Sequence, residues 1–350
     1  MKRIKKIVVP DPVRAGTLEP FVKWAGGKRG LVPELLQHVP KKIDCYHEPF
    51  AGGAALFFAL AAEQPRRYAT ARLADVNPDL IAAYIAVRDD VEGLIDLLQH
   101  HAADHAVSGA QHYYAIRALD PETLSPTARG ARMIYLNRTC FNGLWRVNRS
   151  GNFNVPIGSY ERPRICDAIG LRLASQALQD VTIECASFDQ TLAAARHGDF
   201  IYLDPPYVAA TKSADFTAFS ADGFKLEQQE LLADAARVCV ERGVTVLASN
   251  ADLPYTNELY TTRGFQIARV TAHRAIAASK ASRKNAEEIL AISEPAAPIE
   301  PAAAPIEPAA LIEPAAPIEM TKTSVKAAAP AKARRRQKHD TLTLPFIPKD

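Results

Sequence analysis

The sequence predicts an α/β protein built around a doubly wound sheet. Short apolar segments alternate along the chain with longer segments of helical periodicity. One of the short segments, residues 199–203, has no charge after its first residue, as expected for a strand buried on both faces. The chain has 350 residues, 48% of them hydrophobic, so it can bury one large core or two ordinary ones.

Two strand–helix pairs open the predicted fold. Residues 43–48 indicate a strand, followed by a glycine turn and an apolar helix over residues 54–62. A second strand over residues 71–75 leads into a helix over residues 79–87. The later elements are strands at 180–185, 199–203 and 244–249, an amphipathic helix at 226–242, and a terminal hairpin of 265–270 with 288–292.

Residues 91–165 interrupt this alternation and are predicted to form an inserted, mostly helical recognition domain between the two parts of the sheet domain, 19–90 and 166–293. Seven arginines and one acidic residue lie between Arg129 and Arg164, mixed with aromatic and asparagine side chains. Contact with phosphates and base edges requires this combination of groups. The insertion therefore favours nucleic-acid binding, although a solvated basic surface would carry the same charge.

The composition argues against export, membrane insertion and a metal site. No apolar run is long enough to span a bilayer, and the apolar stretch near the basic N-terminus ends at Pro10. The five cysteines lie far apart and include no C-x-x-C pair, which disfavours a zinc site or a disulfide framework. We therefore expect a cytoplasmic protein that uses no metal ion.

A glycine-containing turn, residues 48–54, joins the first predicted strand to its helix. Its small residues allow a ligand to approach the backbone closely at a helix N-terminus. Asp75 ends the next strand, where a doubly wound fold places the carboxylate that binds ribose hydroxyls. A purely structural turn, and a helix cap before Pro78, are the simpler interpretations of these two features.

The most specific motif is Asp204-Pro205-Pro206-Tyr207, to which we assign the catalytic role. Two prolines after an ionisable residue make a rigid loop at the carboxyl end of a strand, where ligands of such sheets bind. The Asp204 carboxylate and the Pro205 carbonyl can each accept one hydrogen of adenine's exocyclic amino group. These bonds strengthen as the nitrogen gains positive charge. Tyr207 can stack on a base that has left the duplex.

Together these motifs resemble the Dam family of DNA adenine N6-methyltransferases, from about residue 21 to residue 292. The resemblance implies a class I methyltransferase (Rossmann-like) sheet, S-adenosylmethionine as cofactor, and N6 of adenine in double-stranded DNA as substrate. Residues 21–28 are similar to the family's N-terminal signature. By resemblance, Lys23 contacts DNA, and the cofactor-binding residues are Trp24, Lys28, Phe50, Gly52, Asp75, Phe188 and Asp204.

Residues 136–148 and 151–160 are similar to the region with which Dam enzymes recognise GATC, which is therefore the expected target. A bidentate contact between arginine and guanine is also what side-chain geometry predicts unaided. By resemblance, Phe141 intercalates, Asn142 contacts the duplex, and Leu144 and Arg146 take part in recognition, Arg146 at guanine. The remaining DNA-binding residues implied by the resemblance are Arg138, Asn148 and Tyr160.

Three residues depart from the family pattern. Ala54 stands where the family usually has glycine, and we expect its methyl group to crowd the cofactor slightly. Ser159 stands where an arginine is frequent, which removes one phosphate or base contact. Phe141 replaces the usual tyrosine, so stacking is kept while a hydroxyl group is lost.

The ends of the chain lie outside the resemblance. Residues 1–18 form a basic leader, residues 294–319 a near-repeat of Ala, Pro and Glu predicted to be an extended linker, and residues 320–350 a basic disordered tail. A tail without a specific role is the simplest interpretation. Two alternatives are added DNA affinity from residues 332–338, and docking on the bacterial sliding clamp through residues 341–346.

Two other functional classes stay open. An amino-methyltransferase acting on cytosine N4, RNA or protein glutamine is disfavoured by Asp204, whose place serine or asparagine tends to take in such enzymes. A DNA-binding relative without catalysis is disfavoured because Asp75, Asp204 and Tyr207 are all present. We expect the protein to act on duplex DNA as a monomer.

Overall fold

Seven strands in the described residues form a single sheet, which confirms the predicted α/β fold. They are β1 (Ile43–Glu48), β2 (Tyr68–Asp75), β3 (Val181–Cys185), β4 (Phe200–Leu203), β5 (Thr245–Ala251), β6 (Gln266–His273) and β7 (Asn285–Ile292). Their spatial order is β3-β2-β1-β4-β5-β7-β6. The first five strands pair in parallel, whereas β7 is antiparallel to both β5 and β6.

The structure is a computed structural model that describes residues 18–148, 150–207, 224–273 and 285–293. All of them belong to the unit formed by residues 1–300. The leader up to residue 17, the linker, the basic tail and its clamp-like peptide lie outside the described residues, so their expected roles stay predictions. Within the described ranges, no helix is long and apolar enough to cross a membrane.

Ten α-helices accompany the sheet in the described part of the chain. They are α1 (Val32–Gln37), α2 (Ala55–Ala61), α3 (Pro78–Asp89), α4 (Val91–Ser108), α5 (Ala110–Ala118), α6 (Pro126–Thr139), α7 (Ala168–Leu178), α8 (Phe188–Ala194), α9 (Leu226–Glu241) and α10 (Pro254–Thr261). The sequence of α2 is apolar throughout, and six of its seven residues are buried. A helix without a polar face belongs inside a core, which is where α2 lies.

The insertion contains α4, α5 and α6, followed by a loop over residues 140–158 that two isolated β-bridges close, Cys140 with Ile157 and Val147 with Phe153. Helix α6 packs against α3 at Gly130, where an added Cβ would lie 2.6 Å from the Ala86 side chain. Buried residues of the insertion and of the sheet belong to one hydrophobic cluster. The insertion therefore shares its core with the sheet, and the boundaries at residues 91 and 165 stay a prediction.

The strand order reverses between β1 and β4, which are adjacent at the centre of the sheet. In doubly wound folds, ligands bind outside the carboxyl ends of the strands at such a point. Strand β1 ends at Glu48 and enters the glycine turn, β2 ends at Asp75, and β4 ends immediately before Asp204. The topology therefore brings three motifs that are far apart in sequence to one edge of the sheet.

Candidate active site

The carboxylate of Asp204 is paired with a lysine from the N-terminal signature. Lys28 Nζ lies 2.7 Å from Asp204 Oδ1, and it also donates to the Gly26 carbonyl oxygen at 2.7 Å. Only 6% of the lysine side chain is exposed. Burial raises the pKa of Asp204 above its usual range, and the Lys28 ammonium opposes this rise. The site therefore holds a desolvated carboxylate, which accepts a proton more readily than an exposed one.

The Tyr207 side chain is held at both its hydroxyl group and its ring. The phenol donates a hydrogen bond of 2.8 Å to Glu288 Oε2, on β7. Lys28 Nζ lies over the ring, 4.7 Å from its centroid, in a cation–π arrangement. Burial, with Asp204 and Glu288 close by, raises the pKa of Tyr207 well above its usual range. The phenol therefore stays protonated and acts as a donor.

The loop backbone is anchored by two buried amide side chains. Gln229 Nε2, on α9, donates to the Pro206 carbonyl oxygen at 2.8 Å. Asn250 Nδ2, on β5, donates in turn to Gln229 Oε1 at 3.0 Å. Both amides are fully buried, so each bond forms in a medium where water cannot replace it. The rigidity predicted from two prolines thus has a second source in α9 and β5.

The glycine turn is joined to Asp75 by a direct hydrogen bond. Gly52 N donates to Asp75 Oδ2 at 3.1 Å, and Asn77 N donates to Oδ1 at 3.0 Å. Gly52 has φ +46°, and a Cβ there would lie 2.6 Å from the Trp24 ring. Burial raises the pKa of Asp75 to about 6 despite these bonds. Trp24, Gly52 and Asp75, all expected in the cofactor site, therefore lie together.

Two neighbouring residues have clear structural roles. Asn77 is the N-cap of α3, because its Oδ1 accepts the backbone N–H groups of Asp79 and Leu80 at 3.1 and 3.2 Å. Asp75 is therefore free of the capping role that the sequence left open for it. Ala54 is the N-cap of α2 and has φ +49°, a left-handed conformation that favours glycine, and its methyl group packs in the core.

Three phenylalanines cluster beside the turn. The rings of Phe50 and Phe188 are stacked with centroids 5.9 Å apart, and Phe224 meets Phe50 edge-on at 5.7 Å. All three are only partly buried against the core formed by β4, β5 and α9. The sequence predicts a cofactor-binding role for Phe50 and Phe188, and it gave no signal that Phe224 joins them, because a phenylalanine before a helix has no distinguishing pattern.

A buried asparagine ties the N-terminal signature to the insertion. Asn137 Oδ1 accepts the Lys23 N–H at 2.8 Å, and its Nδ2 donates to the carbonyl oxygens of Lys23 and Gly143 at 2.7 and 3.2 Å. The Lys23 Nζ lies 4.1 Å from the centroid of the Tyr160 ring. Lys23 and Tyr160, both expected to contact DNA, are thus adjacent in the structure although they are far apart in the sequence.

The loop over residues 140–158 presents several of its expected DNA-binding residues to solvent. Phe141 is 42% exposed, a high value for an apolar ring. Asn142 follows it with φ +54°, which turns the chain sharply. Arg146 is exposed, and its Nε donates to Asn154 Oδ1 at 2.8 Å, which orients the guanidinium on the loop surface. A projecting aromatic ring and an oriented guanidinium suit insertion between bases and contact with a base edge.

Other expected DNA-binding residues are engaged within the protein. Arg138 donates to the Phe21 carbonyl oxygen at 2.7 Å and lines a cavity of about 180 Å³ together with Arg29 and Arg164. Asn148 Oδ1 accepts the backbone N–H groups of residues 150 and 152, and so shapes the loop. Leu144 packs partly against the core. The structure thus does not bring Arg138 to the exposed surface that carries Phe141 and Arg146.

A comparison with known protein families identifies the kind of enzyme to which this site belongs. Residues 24–276 match the model of the D12 class N6 adenine-specific DNA methyltransferases. The chain belongs to this D12 class. The match contains the Lys28–Asp204 pair, the glycine turn and the whole insertion, so the geometry described above is that of a DNA adenine methyltransferase.

Several known methyltransferases are similar to this chain over almost their entire length. The chain is 37% identical to the DNA adenine methylase of Vibrio cholerae serotype O1 over 279 residues, which cover 79% of this chain and 96% of the relative. It is 37% identical to the type II methyltransferase M1.LlaDCHI of Lactococcus lactis subsp. cremoris, covering 78% and 94%. It is 35% identical to the DNA adenine methylase of Escherichia coli (strain K12), covering 79% and 95%.

The D12-class site also contains residues that the sequence did not identify. Glu288 and Gln229 contact Tyr207 and Pro206 directly, and Asn250 supports Gln229. Each signal was present but weak: an acid immediately before the apolar end of β7, and polar residues on buried faces of α9 and β5. Burial of these groups, which only the fold determines, is what makes them part of the site.

Proposed function

We propose that this D12-class enzyme transfers a methyl group from S-adenosylmethionine to N6 of adenine within GATC in duplex DNA. The observation that carries the proposal is the ion pair of Asp204, at the carboxyl end of β4, with the buried Lys28. It lies at the same sheet edge as the turn that joins Gly52 to Asp75. A doubly wound sheet binds its ligands at this edge.

The turn has the features that an adenosine-containing cofactor requires. Gly52 lacks the side chain that would meet Trp24, so the Trp24 ring packs against the turn at this point and gives it an aromatic surface. Asp75 offers a carboxylate for ribose hydroxyls, and Phe50 with Phe188 offers an apolar, aromatic surface for a purine. When bound, S-adenosylmethionine supplies an electrophilic methyl group on a sulfonium. Lys28 is suited to bind its carboxylate.

The chain's own residues act on the target base. Asp204 and the Pro205 carbonyl accept the two amino hydrogens, and both bonds strengthen as N6 develops positive charge during bond formation. Asp204 can then take the surplus proton from N6, an exchange that its raised pKa favours. Tyr207 stacks on the extruded base and limits the cost of unstacking. Alignment of N6 with the methyl group supplies much of the rate.

The proposed target sequence rests on the exposed loop. Phe141 projects from this loop into solvent. The Nε of Arg146 donates to Asn154, so the two terminal nitrogens of the Arg146 guanidinium are not used in that hydrogen bond. An arginine that contacts O6 and N7 of guanine contributes roughly 1–3 kcal/mol of discrimination. Replacement of Arg146 by alanine should therefore relax the sequence preference at one guanine more than it lowers the rate on GATC.

The experiment that tests the proposal is methylation of matched duplexes with labelled S-adenosylmethionine. One duplex contains a single GATC, and in its control the G·C pair that Arg146 is expected to contact is replaced by another base pair. We expect label at N6 of the GATC adenine for the wild type, no label for Asp204→Ala, and label on both duplexes for Arg146→Ala. Label on cytosine, or equal labelling of both duplexes by the wild type, would contradict the proposal.

A further inference from the structure

Glu288 is a buried carboxylate in an otherwise apolar part of β7. It is 3% exposed, and the three residues that follow it, 289–291, are fully buried and apolar. Its partners in the sheet register are Ala251 on β5 and Val270 on β6, neither of which offers a polar side chain. Burial of an ionisable group in such a place is costly unless a specific partner compensates for it.

Glu288 is bonded to the catalytic tyrosine. Tyr207 OH donates to Glu288 Oε2 at 2.8 Å, although the two residues lie 81 positions apart in the chain. Lys28 Nζ lies 4.0 Å from the same carboxylate oxygen. A hydrogen bond from a neutral phenol to an ionised carboxylate is roughly twice as strong as one between neutral groups. The contact therefore fixes the direction of the phenol C–O bond relative to β7.

We propose that Glu288 is a positioning residue for methyl transfer, which holds the Tyr207 ring in the orientation that the target adenine meets. The inference rests on the proposed function, in which that ring stacks on the extruded base. Lys28 lies over one face of the ring, 4.7 Å from the centroid, so the base must use the other face. With one face covered and the hydroxyl held, the ring can present its remaining face in a single direction.

The charge of Glu288 adds a second effect. Asp204 and Glu288 both lie within 4.0 Å of the Lys28 ammonium, so the two carboxylates share this cation. A site with surplus negative charge stabilises the positive charge that develops on N6 as the methyl group arrives. Orientation depends on a hydrogen-bond acceptor at position 288, whereas this electrostatic effect depends on its charge. The two effects can therefore be separated by substitution.

The test compares Glu288→Ala, Glu288→Gln and Tyr207→Phe with the double variant of Tyr207→Phe and Glu288→Ala. Glu287→Ala is the matched control, because Glu287 is the preceding residue of β7 and is exposed. Rates of methyl transfer are measured at saturating S-adenosylmethionine and GATC duplex. Fluorescence of 2-aminopurine at the target position, recorded without cofactor, reports stacking of the extruded base independently of catalysis.

We expect Glu288→Ala to lower kcat roughly 10- to 100-fold, the loss that follows from one hydrogen bond to a charged group. KM for DNA should change little. Glu288→Gln keeps an acceptor for the phenol, so it should retain the 2-aminopurine signal. Because it removes the charge, it should still lower kcat, but less than Glu288→Ala does. In the Tyr207→Phe background, Glu288→Ala should leave the 2-aminopurine signal almost unchanged and should lower kcat only by the smaller, charge-dependent part that Glu288→Gln also loses. Glu287→Ala should match the wild type.

Two results would overturn the inference while leaving the proposed function intact. One is a Glu288→Ala enzyme with wild-type kcat. The other is an equal effect of Glu288→Ala on kcat and on the 2-aminopurine signal in the wild-type enzyme and in the Tyr207→Phe variant, which would mean that Glu288 does not act through the Tyr207 ring. A wild type that transfers no methyl group to adenine would instead contradict the proposed function itself. Thermal unfolding of each variant identifies any loss of kcat that comes from unfolded protein.

Discussion

Asp75 is a partly buried carboxyl group that accepts backbone hydrogen bonds from Gly52 and Asn77. These bonds favour the ionised form, yet burial outweighs them and raises its pKa from 3.8 to about 6. A carboxyl group with a raised folded pKa binds more protons in the folded state than in the unfolded state. Its contribution to stability is therefore full below about pH 4 and is lost as the pH rises through about 6.

We predict that Asp75→Asn removes this part of the pH dependence. Between pH 4 and pH 7 the free energy of unfolding of the wild type should fall relative to that of the variant by roughly 1–3 kcal/mol. Urea unfolding at several pH values measures the difference. In the same range, wild-type affinity for S-adenosylmethionine should rise, because only ionised Asp75 accepts both ribose hydroxyl bonds. Parallel pH curves for the two proteins would contradict this.

Ala54 is strained in a way that its neighbour Ala51 is not. Both methyl groups are buried, at 2% and 3% exposure, but only Ala54 has a positive φ. Substitution by glycine removes a buried methyl group at either position, and only at position 54 does it also relieve the left-handed conformation. We predict that Ala54→Gly is more stable than Ala51→Gly by about 1 kcal/mol in chemical denaturation. Equal stabilities would show that the turn relaxes around Ala54 without cost.

Helix α9 and strand β5 support the catalytic loop from behind the sheet edge. The hydrogen bonds run from Asn250 to Gln229 and from Gln229 to the Pro206 carbonyl oxygen. Each of these side chains is fully buried. Because a proline-rich loop has few N–H groups of its own, its carbonyl oxygens need donors from other elements. The position of α9 therefore controls the direction of the loop that carries Asp204 and Tyr207.

Gln229→Met tests this role, because methionine has a similar shape and lacks both hydrogen-bonding groups. It removes the hydrogen bonds that Gln229 makes to the Pro206 carbonyl oxygen and to Asn250 Nδ2, so we predict a loss of roughly 1–3 kcal/mol in stability. We also predict a roughly tenfold lower kcat with little change in cofactor affinity, measured by calorimetry. Glu227→Ala, on the exposed side of α9, is the control and should stay near wild type. Normal kcat in Gln229→Met would exclude a positioning role for α9.

At the scale of the whole molecule, the N-terminal signature connects Asp204 with the insertion. Lys28 reaches Asp204 in the catalytic site, while Lys23, five residues earlier, is bonded through its backbone to Asn137 of the insertion. Asn137 also contacts Gly143, at the start of the exposed loop. A short segment of chain thus contacts both the loop that carries Asp204 and the insertion, and buried residues of the two regions belong to one hydrophobic core.

We predict that Asn137→Leu weakens DNA binding without weakening cofactor binding. The substitution keeps the volume and removes three hydrogen bonds, so the loop loses its fixed position relative to Lys23. Affinity for a GATC duplex should fall roughly tenfold, whereas affinity for S-adenosylmethionine should stay within about twofold. Fluorescence anisotropy and calorimetry measure the two affinities. Gln111→Leu, exposed on α5, is the control. Equal losses of both affinities would indicate general unfolding instead.

The sequence by itself determined the strands of the sheet and the motifs that lie at the carboxyl ends of these strands. All seven strands were predicted, with shifted limits such as a start at Tyr68 in place of residue 71 for β2. The catalytic motif and the glycine turn were equally visible. Hydrophobic periodicity and turn residues are local properties of neighbouring positions, so they can be recognised before the tertiary structure is known.

Only the tertiary structure decided which side chains serve the motif. The Lys28 contact with Asp204, the Glu288 contact with Tyr207 and the inward position of Arg138 all join distant parts of the chain. The sequence alone does not show whether an acid in a strand or a glutamine in a helix is buried, and burial is what makes such a residue need a specific partner. These side chains lose their contact with water, and come close to the motif, only when the sheet and its helices pack together. Folding therefore makes them part of the site.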